Sequence, residues 1–149
     1  SLGRYCFYLV PLAIIPSAII YWLARSFAQS FGLNVAAHGA PAMELTLGSA
    51  LGTVIFAPVV ETLLLAGVLA LLSSASPRPV LCAVISSVLW GCLHGLFGAL
   101  WFFGTAWSFF VFSCAYLSWR RTSFRQGFLA AAVPHASVNS IAMLLLWAA

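Results

Sequence analysis

Long apolar stretches separated by short polar ones set the pattern of this chain. Residues 6–27, 79–97, 99–118 and 127–148 are each close to the ~20 apolar residues that an α-helix needs to cross a hydrocarbon layer of ~30 Å. The stretch 45–72 is longer than one crossing requires, at ~42 Å if fully helical. Pro58 lies inside it, and a proline in a helix interior removes a backbone hydrogen bond and kinks or breaks the helix. The segment therefore reads as one tilted, broken span or as two short helices meeting near Ala57 and Pro58. The intervening segments 28–43, 73–78 and 119–126 are turns, the first two marked by Gly, Pro, Ser and Asn. The pattern predicts an all-α, polytopic transmembrane helix bundle of about five to six spans, forming a single domain over residues 1–149 with no internal repeat.

Composition places this bundle in a bilayer. The chain has 149 residues, 64% of them hydrophobic and 5% charged, whereas a soluble domain carries about 25% charged residues. It cannot cover a water-facing surface, so the lipid bilayer is its first partner. The chain begins at Ser1, and its first apolar segment is too long for a signal-peptide core. The net charge of +4 comes with no basic stripe or polar face, so nucleic acid is not expected and the charge is read as topology. With five crossings, Arg4, Arg78, Arg120, Arg121 and Arg125 share one side and Arg25 stands alone on the other. This positive-inside bias predicts an integral, multi-pass protein with a cytoplasmic N-terminus and a C-terminus outside. Cys6, Cys82, Cys92 and Cys114 form no CxxC pair and no metal spacing, and read as small buried apolar filler.

Against this background the polar residues stand out. His38 and Glu44 fall in or beside the first long loop, where water solvates them. Glu61, His94 and His135 lie inside apolar spans, where an ionisable group is expensive and marks a functional site by default. Counted from the arginine-rich side, Glu61 is ~18 Å deep, His94 ~22 Å, His135 ~12 Å and Asn139 ~18 Å. Three helices thus deliver polar groups to one layer. His135 and Asn139 are four apart and share a helix face. His94 sits in a Gly91-xxx-Gly95 frame, whose small residues predict close approach of a neighbouring helix, and Gly48 and Gly52 repeat the spacing.

These residues resemble the CPBP superfamily, the type II CAAX prenyl protease and bacteriocin-processing (Abi) group of intramembrane peptidases. Its first motif, EExxxR after Ala-Pro, is matched by Ala57-Pro58-Val-Val-Glu61, with Thr62 in place of the second glutamate and Ala66 in place of the arginine. FxxxH is matched by Trp90-Gly-Cys-Leu-His94, with Trp for Phe, and HxxxN by His135-Ala-Ser-Val-Asn139. The resemblance covers roughly residues 57–140. It implies an intramembrane endopeptidase that hydrolyses a peptide bond of a membrane-associated protein or peptide, either lipidated or carrying a C-terminal sorting tail. It also implies a bacterial inner membrane and a metal-independent mechanism with no cofactor. Glu61 would activate water, hydrogen bonded to His94, which would orient that water. His135 and Asn139 would bind the oxyanion, as peptide hydrolysis requires. Ser137 and Ser140 read as helix packing.

Three other classes remain open. A zinc peptidase would use Glu61, His94 and His135 as ligands with one open position, although no HExxH is present. A haem-binding membrane anchor would use His94 and His135 as axial ligands, but leaves Glu61 and Asn139 unexplained. A non-catalytic relative, scaffold or transporter fragment would line a path with the same polar groups.

Overall fold

The structure is a computed structural model that describes residues 1–42, Glu44 and 46–148. The expected start of a span at Leu45 falls outside the described residues. In chain order the helices are α1 (Leu2–Ser30), α2 (Leu47–Leu51), a π-helical turn (Gly52–Phe56), α3 (Ala57–Ala75), α4 (Pro79–Gly95), α5 (Ala99–Trp119) and α6 (Phe124–Ala148). No strand occurs among the described residues. The helices α2 and α3 and the π-turn form one continuous run, Leu47–Ala75. This run, α1, α5 and α6 are long and apolar enough to cross a membrane. Helix α4 has 17 residues and ends at Gly95, two short of expectation. At ~26 Å it stands at the lower edge of what a crossing needs.

Helix α5 is the hub. It packs against α1, α3, α4 and α6, and α6 in turn packs against α1 and α3. Apolar residues surround α5 on every side, as suits a helix buried by its neighbours, and Phe109, Val111, Phe112, Ala115 and Tyr116 form the centre of the core. Hydroxyl pairs supplement van der Waals packing where apolar burial drives little association. Ser17 and Ser108 meet at 2.8 Å between α1 and α5, and Ser113 donates to Ser86 at 3.2 Å between α5 and α4. Gly91 allows the close approach predicted for its helix, because a Cβ there would meet the Phe102 ring at 2.9 Å. Gly48 and Gly52 do not repeat this. A Cβ on Gly52 would meet nothing within 4 Å, and one on Gly48 only the nearby Thr46 side chain. Their spacing is not a packing frame.

The outward faces are apolar along their length. Phe7, Ile15, Trp22, Leu64, Leu89 and Leu145 are among many large exposed hydrophobics, an area no water-soluble monomer presents. Cys92 lies on this exposed surface, unlike the buried Cys6 and Cys82, so the expectation of core filler fails for it; all four cysteines are free.

The ends of the bundle alternate. Tyr5 near the start of α1 packs on Trp119 at the end of α5, ring centres 5.5 Å apart. Arg4, Arg78, Arg120, Arg121 and Arg125 thus gather at one end. At the other end α1 closes with Gly32 at a positive φ of 73°, where Gly32 N–H reaches Gln29 O and Leu33 N–H reaches Ala28 O. The connection that follows returns to the start of α5, where Leu100 N–H donates to His38 O at 2.8 Å. His38 and Glu44 are exposed, as expected.

Two prolines, Pro16 and Pro58, leave carbonyls that neighbouring side chains take up. Pro16 cannot donate to Leu12 O, and Trp107 Nε1 donates to it instead at 2.9 Å. Pro58 brings no break in the Leu47–Ala75 run. Instead the backbone widens into the π-turn just before it, with Ala57 N–H reaching back to Gly52 O.

Candidate active site

A cavity of about 630 Å³ is lined by Glu61, His94, His135 and Asn139 together. Two smaller clefts, about 380 Å³ and 320 Å³, contain neither glutamate nor histidine. The four polar residues come from α3, α4 and α6. Measured along the helices from the arginine-rich end, they lie ~17–23 Å in, a tighter layer than the sequence suggested because α6 starts at Phe124.

Each side chain is held by its own surroundings. Glu61 is 24% exposed at its side chain, yet its Oε2 is buried and accepts no hydrogen bond from the described residues. His135 Nε2 lies 3.6 Å from that oxygen, a contact too long for a hydrogen bond. No hydrogen bond or ion pair joins Glu61 to His94. In place of the expected Glu61–His94 bond, Glu61 contacts His135, while His94 Nδ1 is engaged with the carbonyl of its own helix.

His94 is anchored within its own helix. Its Nδ1 lies 2.8 Å from Trp90 O. A carbonyl only accepts, so Nδ1 carries the proton, and in the neutral ring Nε2 is left as an acceptor. This accounts for the Trp90-xxx-His94 spacing in physical terms: residue 90 supplies the carbonyl one turn before the ring. The Trp90 indole in turn stacks on Phe109, with ring centres 4.8 Å apart.

His135 is buried and stacks on Phe112, ring centres 4.9 Å apart. Phe109 lies 5.3 Å from the His94 ring and 5.3 Å from the His135 ring. One aromatic side chain of the hub helix therefore fixes both imidazoles. Nothing in the sequence marked Phe109 among so many phenylalanines.

Asn139 Nδ2 donates to Thr53 O in the π-turn at 2.8 Å. Ser137 and Ser140 donate back to Val133 O and Ala136 O of their own helix at 2.9 Å and 2.7 Å, the self-contained bonding of packing residues. Thr62 and Ala66 are buried in the core, 2% and 5% exposed, outside the cavity lining. A charged pair at these positions would sit behind Glu61 in the protein interior.

Among the described residues no group of three His, Cys, Asp or Glu side chains is placed to share a metal ion. The zinc reading thus finds two neighbouring groups, Glu61 and His135, and no third ligand. The Phe109 ring packed against both imidazoles likewise gives no support to a porphyrin shared between them.

Against protein families, the type II CAAX prenyl endopeptidase Rce1-like family matches residues 43–141. The chain belongs to this family. Comparison with curated proteins and with solved structures finds no match. Membership in the endopeptidase family, with four long apolar helices, makes the chain an integral membrane protein and, at family level, a protease acting on a peptide or protein substrate.

Proposed function

We propose that the protein is an intramembrane endopeptidase in which Glu61 activates water for hydrolysis of a peptide bond. The observation that carries this reading is the Glu61 carboxylate. One of its oxygens is buried, takes no hydrogen bond from the described residues, and faces a cavity shared with two imidazoles.

In the reaction, Glu61 Oε2 takes a proton from water as the oxygen attacks the carbonyl carbon. His94 Nε2, an acceptor with its tautomer set by Trp90 O, holds the second proton of that water. The carbonyl π electrons move to oxygen. His135 Nε2–H and the second N–H of Asn139 donate to the oxyanion. Collapse breaks the C–N bond, and the leaving amine takes the proton from Glu61. The chemistry runs without metal or cofactor, and no nucleophilic side chain is needed. The substrate is a membrane-associated protein or peptide, lipidated or bearing a sorting tail, that enters a cavity walled largely by Phe56, Trp101, Phe109 and Phe112. The fine setting is a bacterial inner membrane with a cytoplasmic N-terminus.

The test is cleavage of a labelled membrane peptide by purified protein in lipid nanodiscs. Glu61→Gln keeps the shape and removes the base, and is expected to abolish cleavage while elution profile and thermal midpoint stay native-like. Wild-type turnover by Glu61→Gln rules out the glutamate mechanism.

A further inference from the structure

The π-turn poses a bonding problem that Asn139 solves. Ala57 N–H donates to Gly52 O, five residues back. The next bond in that register would run from residue 58 to Thr53 O, and proline has no N–H. The Asn139 side chain supplies the missing donor from α6 at 2.8 Å. The molecule uses the same device in α1, where Trp107 stands in for the N–H that Pro16 lacks.

The two places differ in what surrounds them. Around Leu12 the helices are also joined by the buried Ser17–Ser108 pair. Among the described residues, neither α2 nor the π-turn contributes a fully buried residue to the wall. A Cβ on Gly52 would find nothing within 4 Å. Yet Gly52, Thr53 and Phe56 line the cavity that holds Glu61. A wall whose residues are at most half-buried depends on its directed bonds, and the Asn139–Thr53 bond is one that ties it to α6.

We infer that Asn139 is also a positioning residue: one of its two N–H groups replaces the backbone donor that Pro58 lacks and so holds the π-turn against α6 as the substrate-facing wall. This rests on the reading of the cavity as the peptidase site, and it gives the asparagine two separable jobs. The N–H on Thr53 O shapes the cavity; the other N–H is free for the oxyanion.

A double-mutant cycle separates the jobs. Pro58→Ala restores a backbone N–H that can reach Thr53 O. In the native background, Asn139→Ala is expected to lower kcat, from the lost oxyanion donor, and to raise KM by about tenfold, from the displaced wall. In the Pro58→Ala background, Asn139→Ala is expected to lower kcat to the same degree and to leave KM within about twofold. A KM increase that is equal in both backgrounds, or absent from both, overturns the positioning role.

Hydrogen exchange at the amides of residues 54–57 gives a readout that needs no activity and no folded Pro58 variant. Asn139→Ala should accelerate exchange there, also when combined with Glu61→Gln; unchanged exchange overturns the proposal. If Glu61→Gln cleaves normally while exchange responds as expected, the proposed chemistry fails and the wall contact stands.

Discussion

At the scale of single residues, the site depends on contrast. Both acids of the chain are glutamates, but Glu44 is exposed in a connection while Glu61 faces the cavity between two imidazoles. Glu44→Gln is accordingly expected to leave kcat/KM unchanged in the assay that Glu61→Gln fails. His94→Ala removes the second hold on the attacking water, and turnover should fall by about 10²–10⁴. His94→Gln, which can still accept, should recover part of the loss; equal loss in both would argue against a water-holding role. Because no third His, Cys, Asp or Glu among the described residues joins Glu61 and His135 in a geometry that could hold a metal ion, a strong chelator is expected to leave turnover unchanged, and full inhibition reversed by zinc would revive the metal reading. The identities of these groups were legible in the sequence because polar residues are rare and costly within apolar spans. Their pairing was not. Spacing along a helix tells which residues share a face, but not which neighbour that face meets. That is why Glu61 turned up beside His135 and not His94, and why Phe109, one phenylalanine among 12, left no trace in advance.

At the scale of elements, the glycines give a sharp comparison. A side chain on Gly91 would run into Phe102 and Ala106 of α5, whereas a Cβ on Gly67 meets nothing within 4 Å. Gly91→Val is expected to destabilise the protein by ~1–3 kcal/mol through overpacking. Gly67→Ala should be neutral or stabilising by ~0.5–1 kcal/mol from helix propensity. Thermal unfolding of purified variants in one detergent checks both, and a Gly67→Ala loss as large as that of Gly91→Val would contradict the packing assigned here. Helix existence was readable from apolar run length, and the turns from Gly, Pro and Ser. The π-turn was not readable, since its bonding is completed by Asn139, 86 residues away in sequence. Nor could spacing alone tell the working glycine frame at Gly91 from the idle one at Gly48.

For the whole molecule, the charge pattern and the bundle make one statement. Five arginines gather at one end with no acidic partner there, since the two glutamates lie in the interior and at the opposite connection. The arginine-rich end should face the cytoplasm. A reporter inserted after Thr122 is expected to respond as cytoplasmic and one fused behind the last residue as extracytoplasmic. The same response from both would mean that α6, the one helix between them, does not cross; exchanged responses would mean an even number of crossings, with the 17-residue α4 the first helix to reconsider. The membrane class followed from composition, because a chain this poor in charge has no water-compatible surface, and its all-helical character from the length of the apolar runs. Which end of the bundle the cavity reaches needed the fold: residues 40–42, in the connection at the end poor in arginine, border it.

The junction of that connection with α5 carries a consequence for variation. Gly98 is extended, with φ of 179°, so its backbone would suit any residue; what excludes a side chain is the Gly39 carbonyl, which occupies the space of a Cβ. Leu100 N–H then ties down the neighbouring His38 carbonyl. The path of the connection is written largely in backbone atoms; the exception among its side chains is Asn34, whose Oδ1 accepts from Ala36 N–H and Ala37 N–H. In a saturation library spanning residues 34–42 and 98, scored for folded protein at the membrane, position 38 should accept almost any residue except proline, and position 98 almost none but glycine.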